Sequence, residues 1–122
     1  MTSPTPALER WFEIMVSTDP DRVLDMITDD FAMPVQFSRG SGRSTEFVGD
    51  RAGLIAYLEQ RGKSTLVHHI MVGATVDDTE LVLGQTTRDG VFEASFNATA
   101  QLTDNGLVRR LLICRTPEID FA

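Results

Sequence analysis

The hydrophobic period of this chain changes once, near Leu66, and that change bounds what the chain can fold into. Up to about Gly62, apolar residues recur every three or four positions, the spacing of helices packed on one face. From Leu66 onward they alternate, the spacing of half-buried strands. Thr5-Pro6 is a helix start, since threonine caps and proline suits the first helical position. Leu8, Trp11, Phe12, Met15 and Val16 then form one apolar stripe. Asp19-Pro20 repeats the start signal for a second helix with Val23, Leu24, Ile27 and Phe31 inward, ended at Met33-Pro34. Val35-Gln36-Phe37 reads as a short strand, 38–45 as a polar, glycine-rich loop, and Glu46 to Gly49 as a second short extended piece. Asp50 caps a third helix with Leu54, Ile55 and Leu58 inward and Gly62 as its stop.

The strands that follow are Leu66 to Val76, Leu81 to Arg88, Phe92 to Leu102 and Leu107 to Arg115. Asp77-Asp78, Asp89-Gly90 and Asn105-Gly106 are the turns between them, and Asp89-Gly90 is a strong hairpin signal. Phe92, Ala94, Phe96, Ala98, Ala100 and Leu102 alternate with Glu93, Ser95, Asn97, Thr99 and Gln101, so one face of that strand is apolar. Helices first and strands after predict a single α+β domain over residues 1–122, with three N-terminal helices on a curved, mostly antiparallel sheet.

Composition narrows the function classes. A net charge of −7 repels phosphate backbones, so nucleic-acid binding is not expected. No run of 18 apolar residues offers a membrane span, and residues 1–11 lack the features of a signal peptide. Cys114 is the one cysteine, which excludes internal disulfides and cysteine-built zinc sites. The expected address is the cytoplasm, with no cofactor and no metal.

The stretch Arg10 to Asp30, with its Asp19-x-Asp21 turn and Asp29-Asp30 exit, resembles the helix-turn-helix of bacterial ketosteroid isomerases without a gap. Phe47-Val48-Gly49 before the third helix and the Asn105-Gly106 turn add to the likeness. The whole chain is similar to the nuclear transport factor 2-like superfamily, and within it to SnoaL-like, ketosteroid-isomerase-like and scytalone-dehydratase-like proteins. The resemblance implies a cone with a mixed, strongly bent sheet and a pocket between the first helix and the sheet. It also implies catalytic positions that this chain does not fill. The isomerases' oxyanion tyrosine falls on Trp11, their base aspartate on Val35, and their second acid on Ala98, or on Asn97 with a slip of one. A general base contributes a factor of about 10²–10⁴ and an oxyanion donor about 10²–10³. Without all three, ketosteroid isomerisation is not expected. The acid–arginine–acid set of the superfamily's epoxide hydrolases is likewise not expected, because the inward face of the Phe92 strand carries no acid. The histidine of scytalone dehydratase matches His69, although that enzyme's first-strand tyrosine falls on Val35 and its helix-one aspartate near Val16.

His68-His69 is the one pair with acid–base chemistry near neutral pH. Neighbours on a strand point to opposite faces, so only one of them can face the pocket, and the sequence leaves open which; the dehydratase likeness falls on His69, which it makes the catalytic candidate. The resemblance makes Trp11, Met33, Val35, Phe96 and Ala98 ligand-binding walls. All are apolar, so the pocket should prefer small, flat, apolar molecules over carboxylates, unless an arginine points inward. Arg109 and Arg110 are adjacent mid-strand, and the sequence leaves open which of them does. The expected function is small-molecule binding, with isomerase, cyclase or dehydratase chemistry on His69, or else ligand binding without catalysis. The neutral polar face Ser95, Asn97, Thr99, Gln101 suits a homodimer contact.

Overall fold

The computed structural model describes residues 3–40, 43–61 and 65–121; the side chains of 34–40, 43–48, 60 and 61 lie outside that description. Helix α1 spans Pro6–Met15, a 3₁₀ helix follows over Pro20–Met26, and helix α2 spans Arg51–Arg61. Six strands complete the chain: β1 Ile27–Gly40, β2 Arg43–Asp50, β3 Leu66–Val76, β4 Thr79–Arg88, β5 Val91–Leu102 and β6 Val108–Thr116. They form one open sheet in the order β2-β1-β6-β5-β4-β3. Only the β1–β6 contact is parallel. Register shifts interrupt every strand pair, and bulges of this kind bend a sheet. The result is the expected α+β architecture, three helical pieces on a mixed, bent sheet.

Strands β4 and β5 follow their alternation, except that Ser95, expected on the polar face, is buried with its hydroxyl donating to the Ile119 carbonyl at 2.6 Å. Ala94, Phe96, Ala98 and Ala100 are all buried on one face of β5. Asp89 and Gly90 both have positive φ, 54° and 81°, which is the two-residue turn that a twisted hairpin requires. Gly106 sits at φ 80° in the β5–β6 turn, where its N–H donates to the Thr103 carbonyl at 2.9 Å. Asp50 caps α2 as expected, accepting from the Gly53 N–H at 3.0 Å. The expected stop at Gly62 and the tip of the expected loop, residues 41 and 42, lie outside the described residues.

Four expectations are corrected. The second helix is a 3₁₀ turn that ends at Met26, and β1 begins at Ile27, not at Val35. Val23, Ile27 and Phe31 are inward as expected, but their spacing is satisfied equally by a turn running into a strand. Ile27-Thr28 is a β-branched pair, and Ile27 gains Val108 of β6 as its register partner. The expected loop at 38–45 consists largely of the paired arms of β1 and β2, with Ser38 opposite Ser44. Val16 is exposed because α1 stops at Met15, and Ile14 is buried in its place. Ile55 is exposed, leaving Leu54 and Leu58 as the inward face of α2.

Helix α1 is fixed by a group the periodicity does not reveal. Thr5 makes no side-chain cap. Instead Glu80 of β4, 1% exposed, accepts from the N–H of Ala7 at 2.9 Å and of Leu8 at 2.8 Å. First-turn N–H groups have no partner within the helix, and the helix dipole favours negative charge at that end. A buried carboxylate therefore finds two charge-assisted hydrogen bonds where it would otherwise be costly. The Thr75 hydroxyl donates to the Pro4 carbonyl, and Gly73 leaves room for Thr5: a Cβ there would lie 2.9 Å from the Thr5 methyl. These contacts pin the start of α1 across β3 and β4. Glu80→Gln replaces one acceptor with a donor facing a donor. It should lower unfolding free energy by about 1.5–3 kcal/mol. Urea unfolding checks this, and a change below about 0.5 kcal/mol would show that the carboxylate is not the clamp.

Candidate functional site

With α1 held at Glu80, its next turns lie over the inner faces of β3, β4 and β5. Phe12 meets His68 ring to ring, with centroids 4.6 Å apart and planes within 5°. Phe96 of β5 presents its edge to both, at 5.3 Å from Phe12 and 4.9 Å from His68. Edge-to-face and offset contacts at these separations are the favoured aromatic geometries. The layer needs Gly84 opposite Phe96: a Cβ there would lie 2.7 Å from the Phe96 ring and would run into the His69 carbonyl oxygen.

The two adjacent histidines are divided by the sheet. His68 is the register partner of buried Thr86, which is itself paired with buried Ala94, so the three share the inner face. His69 points away from the cone. It is exposed, and its Nε2 lies 2.8 Å from the Thr87 hydroxyl. The expectation that His69 faces inward is therefore corrected: the inward imidazole is that of His68. The phase of β3 also flips beyond these residues. A register shift between Ile70 and Val72 puts Gly73 against α1 and leaves Val72 exposed.

The expected apolar walls are mostly packed core. Trp11 is 2% exposed and stacks on Phe31 at 6.1 Å. Phe96 and Ala98 are equally buried, and Met33 is half-buried against the same core. Val35 pairs through its backbone with Phe47 and Ile113, and its side chain lies outside the described residues. Among the grooves formed by described residues, two of about 400 Å³ lie outside the cone. One runs along the solvent side of α1 past Glu9, Arg10 and Glu13. The other crosses the outer sheet face between Val72, Leu81, Leu83 and Thr99. Trp11 and Phe96 are packed into the core, and the half-buried His68 stands at the polar edge of that packing.

Arg110 is on the outer face and is engaged there. Its Nη1 donates to the Asp30 carbonyl at 2.7 Å and to the Arg109 carbonyl at 2.9 Å. The Thr28 hydroxyl, donating to Asp30 at 2.6 Å, holds that carboxyl below the usual carboxylate range, with Arg110 and Arg109 assisting. A depressed carboxylate stabilises the fold above its unfolded pKa, and that contribution is lost as pH falls through the folded value. Asp30 is exposed, so solvent screens the effect. Arg109 is half-buried beside the register shift at the β5–β6 turn.

An arginine absent from the sequence-based candidates does reach the inner face. Arg115 is the register partner of Phe96, and paired residues on antiparallel strands project from the same face. Its side chain is 22% exposed, with Nη1 3.9 Å from Glu93 Oε2. Glu93 is the extra residue at a register shift of β5 against β4, and its other oxygen accepts from Arg88 Nε at 3.1 Å. The signal that could have found Arg115 is its parity with Leu111 and Ile113 on β6, both buried. Among the described residues no group of three or more His, Cys, Asp or Glu is placed to hold a metal ion, and no helix is long and apolar enough to cross a membrane.

No protein-family model and no curated protein matches the sequence. Solved structures do match the fold. A SnoaL-like family protein from Agrobacterium tumefaciens strain C58, provisionally described as an isomerase, superposes with a TM-score of 0.67 at 10% identity, over 90% of this chain and 94% of its own. IdmH of Streptomyces antibioticus, provisionally described as a polyketide cyclase, gives 0.69 at 13% identity, over 93% and 92%. An NTF-2-like protein of unknown function from Burkholderia xenovorans LB400 gives 0.66 at 15% identity, over 96% and 85%. At such identities the likeness establishes the fold, and function has to be argued from the residues.

Proposed function

We propose that this chain, whose fold is the nuclear transport factor 2-like cone of the SnoaL-like proteins, is a cytoplasmic small-molecule protein that takes a flat, largely apolar ligand at the edge of its aromatic layer. His68 is the acid–base and anchoring group. The observation that carries this reading is the inward imidazole, stacked on Phe12 and edged by Phe96, in a half-buried position at the end of the layer. A histidine so placed has the chemistry for proton transfer to an enolisable or dehydratable substrate, the class suggested by the isomerase and cyclase descriptions of the structural neighbours. Binding without catalysis is the second reading. It is favoured by Trp11 and Val35, which stand where the resembled isomerases carry a tyrosine and an aspartate.

The neutral probe 2-naphthalenemethanol tests the reading by calorimetry. His68→Ala should weaken its binding about tenfold, the value of one hydrogen bond and its packing, and His69→Ala should leave it unchanged. Equal affinities across wild type and both variants, or a loss confined to His69→Ala, would overturn it.

We also propose that two copies pair through the outer sheet face. Val72, Leu81 and Leu112 are exposed there, and the exposed Asn97 and half-buried Thr99 offer polar partners between them. Light scattering at micromolar concentration should give the dimer mass, and Leu81→Glu the monomer mass. A monomeric wild type would refute this contact.

A further inference from the structure

Resting on the pairing of two copies proposed above, we infer that residues 117–121 are an arm of that contact: Ile119 and Phe121 of each copy enter the partner's groove on the outer sheet face, between Val72, Leu81, Leu83 and Thr99. The chain after β6 is turned onto that face. Pro117 has no N–H for a further ladder bond, and the Thr116 hydroxyl accepts from the Glu118 N–H at 3.2 Å. The segment then crosses β5. Ser95 shares the outer face with exposed Asn97 and half-buried Thr99, yet it is 2% exposed, because its hydroxyl donates to the Ile119 carbonyl at 2.6 Å. The backbone of the arm is tied down there, while its large apolar side chains stay open to solvent: Ile119 is 53% exposed and Phe121 55%. They alternate with Glu118 and Asp120, the pattern of a segment with one apolar and one acidic edge.

The size of the outer face decides what the arm is for. The apolar part of that face is two rows of register partners, Ala74-Leu81-Thr99-Leu112 and Val72-Leu83-Asn97-Cys114. With strands about 4.8 Å apart and same-face residues about 6.8 Å apart, those rows project a footprint of about 260 Å². A stable pair buries about 800 Å² of accessible surface on each copy. The rows alone fall short, and one buried aromatic side chain adds about 150–250 Å². The arm also stands in the right place. Ser95 and Asn97 are two residues apart on one face of β5, so the arm runs beside the Val72-Leu83-Asn97-Cys114 row. A groove of about 400 Å³ lies along that row, with Val72, Leu81 and Leu83 as its apolar walls. A copy's own arm is held at Ser95, which leaves the groove to the partner's. In a two-fold pair the same surface is used on both copies, so each arm bordering one face meets the face opposite and both grooves fill at once.

The test is sedimentation over a dilution series of wild type, the double variant Ile119→Ser/Phe121→Ser, and Ser95→Ala. The double variant should raise the dimer dissociation constant by about 100-fold or more, since two large apolar side chains per copy are no longer buried. Both side chains are exposed in the single chain, so its far-ultraviolet circular dichroism should match wild type. Ser95→Ala loses one hydrogen bond that holds the arm and should weaken pairing about threefold to tenfold. Cross-linking locates the arm: Cys114→Ser/Ile119→Cys mixed with Cys114→Ser/Leu81→Cys should give a disulfide between the unlike chains under mild oxidation, read by mass. A dimer as strong in the double variant as in wild type, or one without that cross-link, overturns the arm and leaves pairing through the sheet face standing. A monomeric wild type overturns both.

Discussion

The two hydrogen bonds from Ala7 and Leu8 to Glu80 are the constraint on which the rest of the interior depends. A helix of ten residues is too short to hold its shape alone in water, so α1 depends on what it packs against. Glu80 fixes its first turn over β4. From that anchor the turn carrying Phe12 falls over β3 and the turn carrying Trp11 falls over Phe31 of β1. A carboxylate buried this fully is destabilising unless its acceptors are filled. The same group that specifies the helix position would therefore penalise any arrangement in which α1 slid or lifted away.

Packing then decides chemistry. Phe12 lies flat on His68, and Phe96 reaches both rings because Gly84 has no side chain to block it. The imidazole is held between the face of Phe12 and the edge of Phe96. Trp11 and Val35, onto which the resembled isomerases' tyrosine and base aspartate fall, are apolar. Among the described residues, His68 is the inward group with acid–base chemistry at the edge of the aromatic layer.

Much of the fold was legible in the residues, and the reasons for the exceptions are physical. Strands β3 to β6 were readable because alternation and two-residue turns are local signals: Asp89-Gly90 alone fixes a hairpin. The alternation of β5 also gave the buried set Ala94, Phe96, Ala98 and Ala100 directly. The start of β1 was not readable, because Val23, Ile27 and Phe31 satisfy both a helix and a turn followed by a strand, and only the pairing of Ile27 with Val108 decides between them. Glu80 falls just before the strand expected from Leu81, and nothing local marks it as buried, since its partners lie 72 and 73 residues away. His68 and His69 cannot be told apart by periodicity, because a shift of one residue exchanges the faces and β3 itself carries such a shift at Met71. Arg115 was legible in principle from its parity with the buried Leu111 and Ile113 on β6.

The central claim is that the sheet divides the two histidines and seats His68 against Phe12. The most direct measurement is the proton NMR spectrum of the two imidazoles, assigned by His68→Gln and His69→Gln. An imidazole stacked 4.6 Å from a phenyl ring lies in that ring's shielding cone. The account predicts strongly upfield-shifted His68 ring protons, with cross-relaxation to Phe12 and Phe96, and His69 protons near the values of a solvated histidine. Upfield shifts and aromatic contacts on His69, with His68 at solvated values, would contradict it.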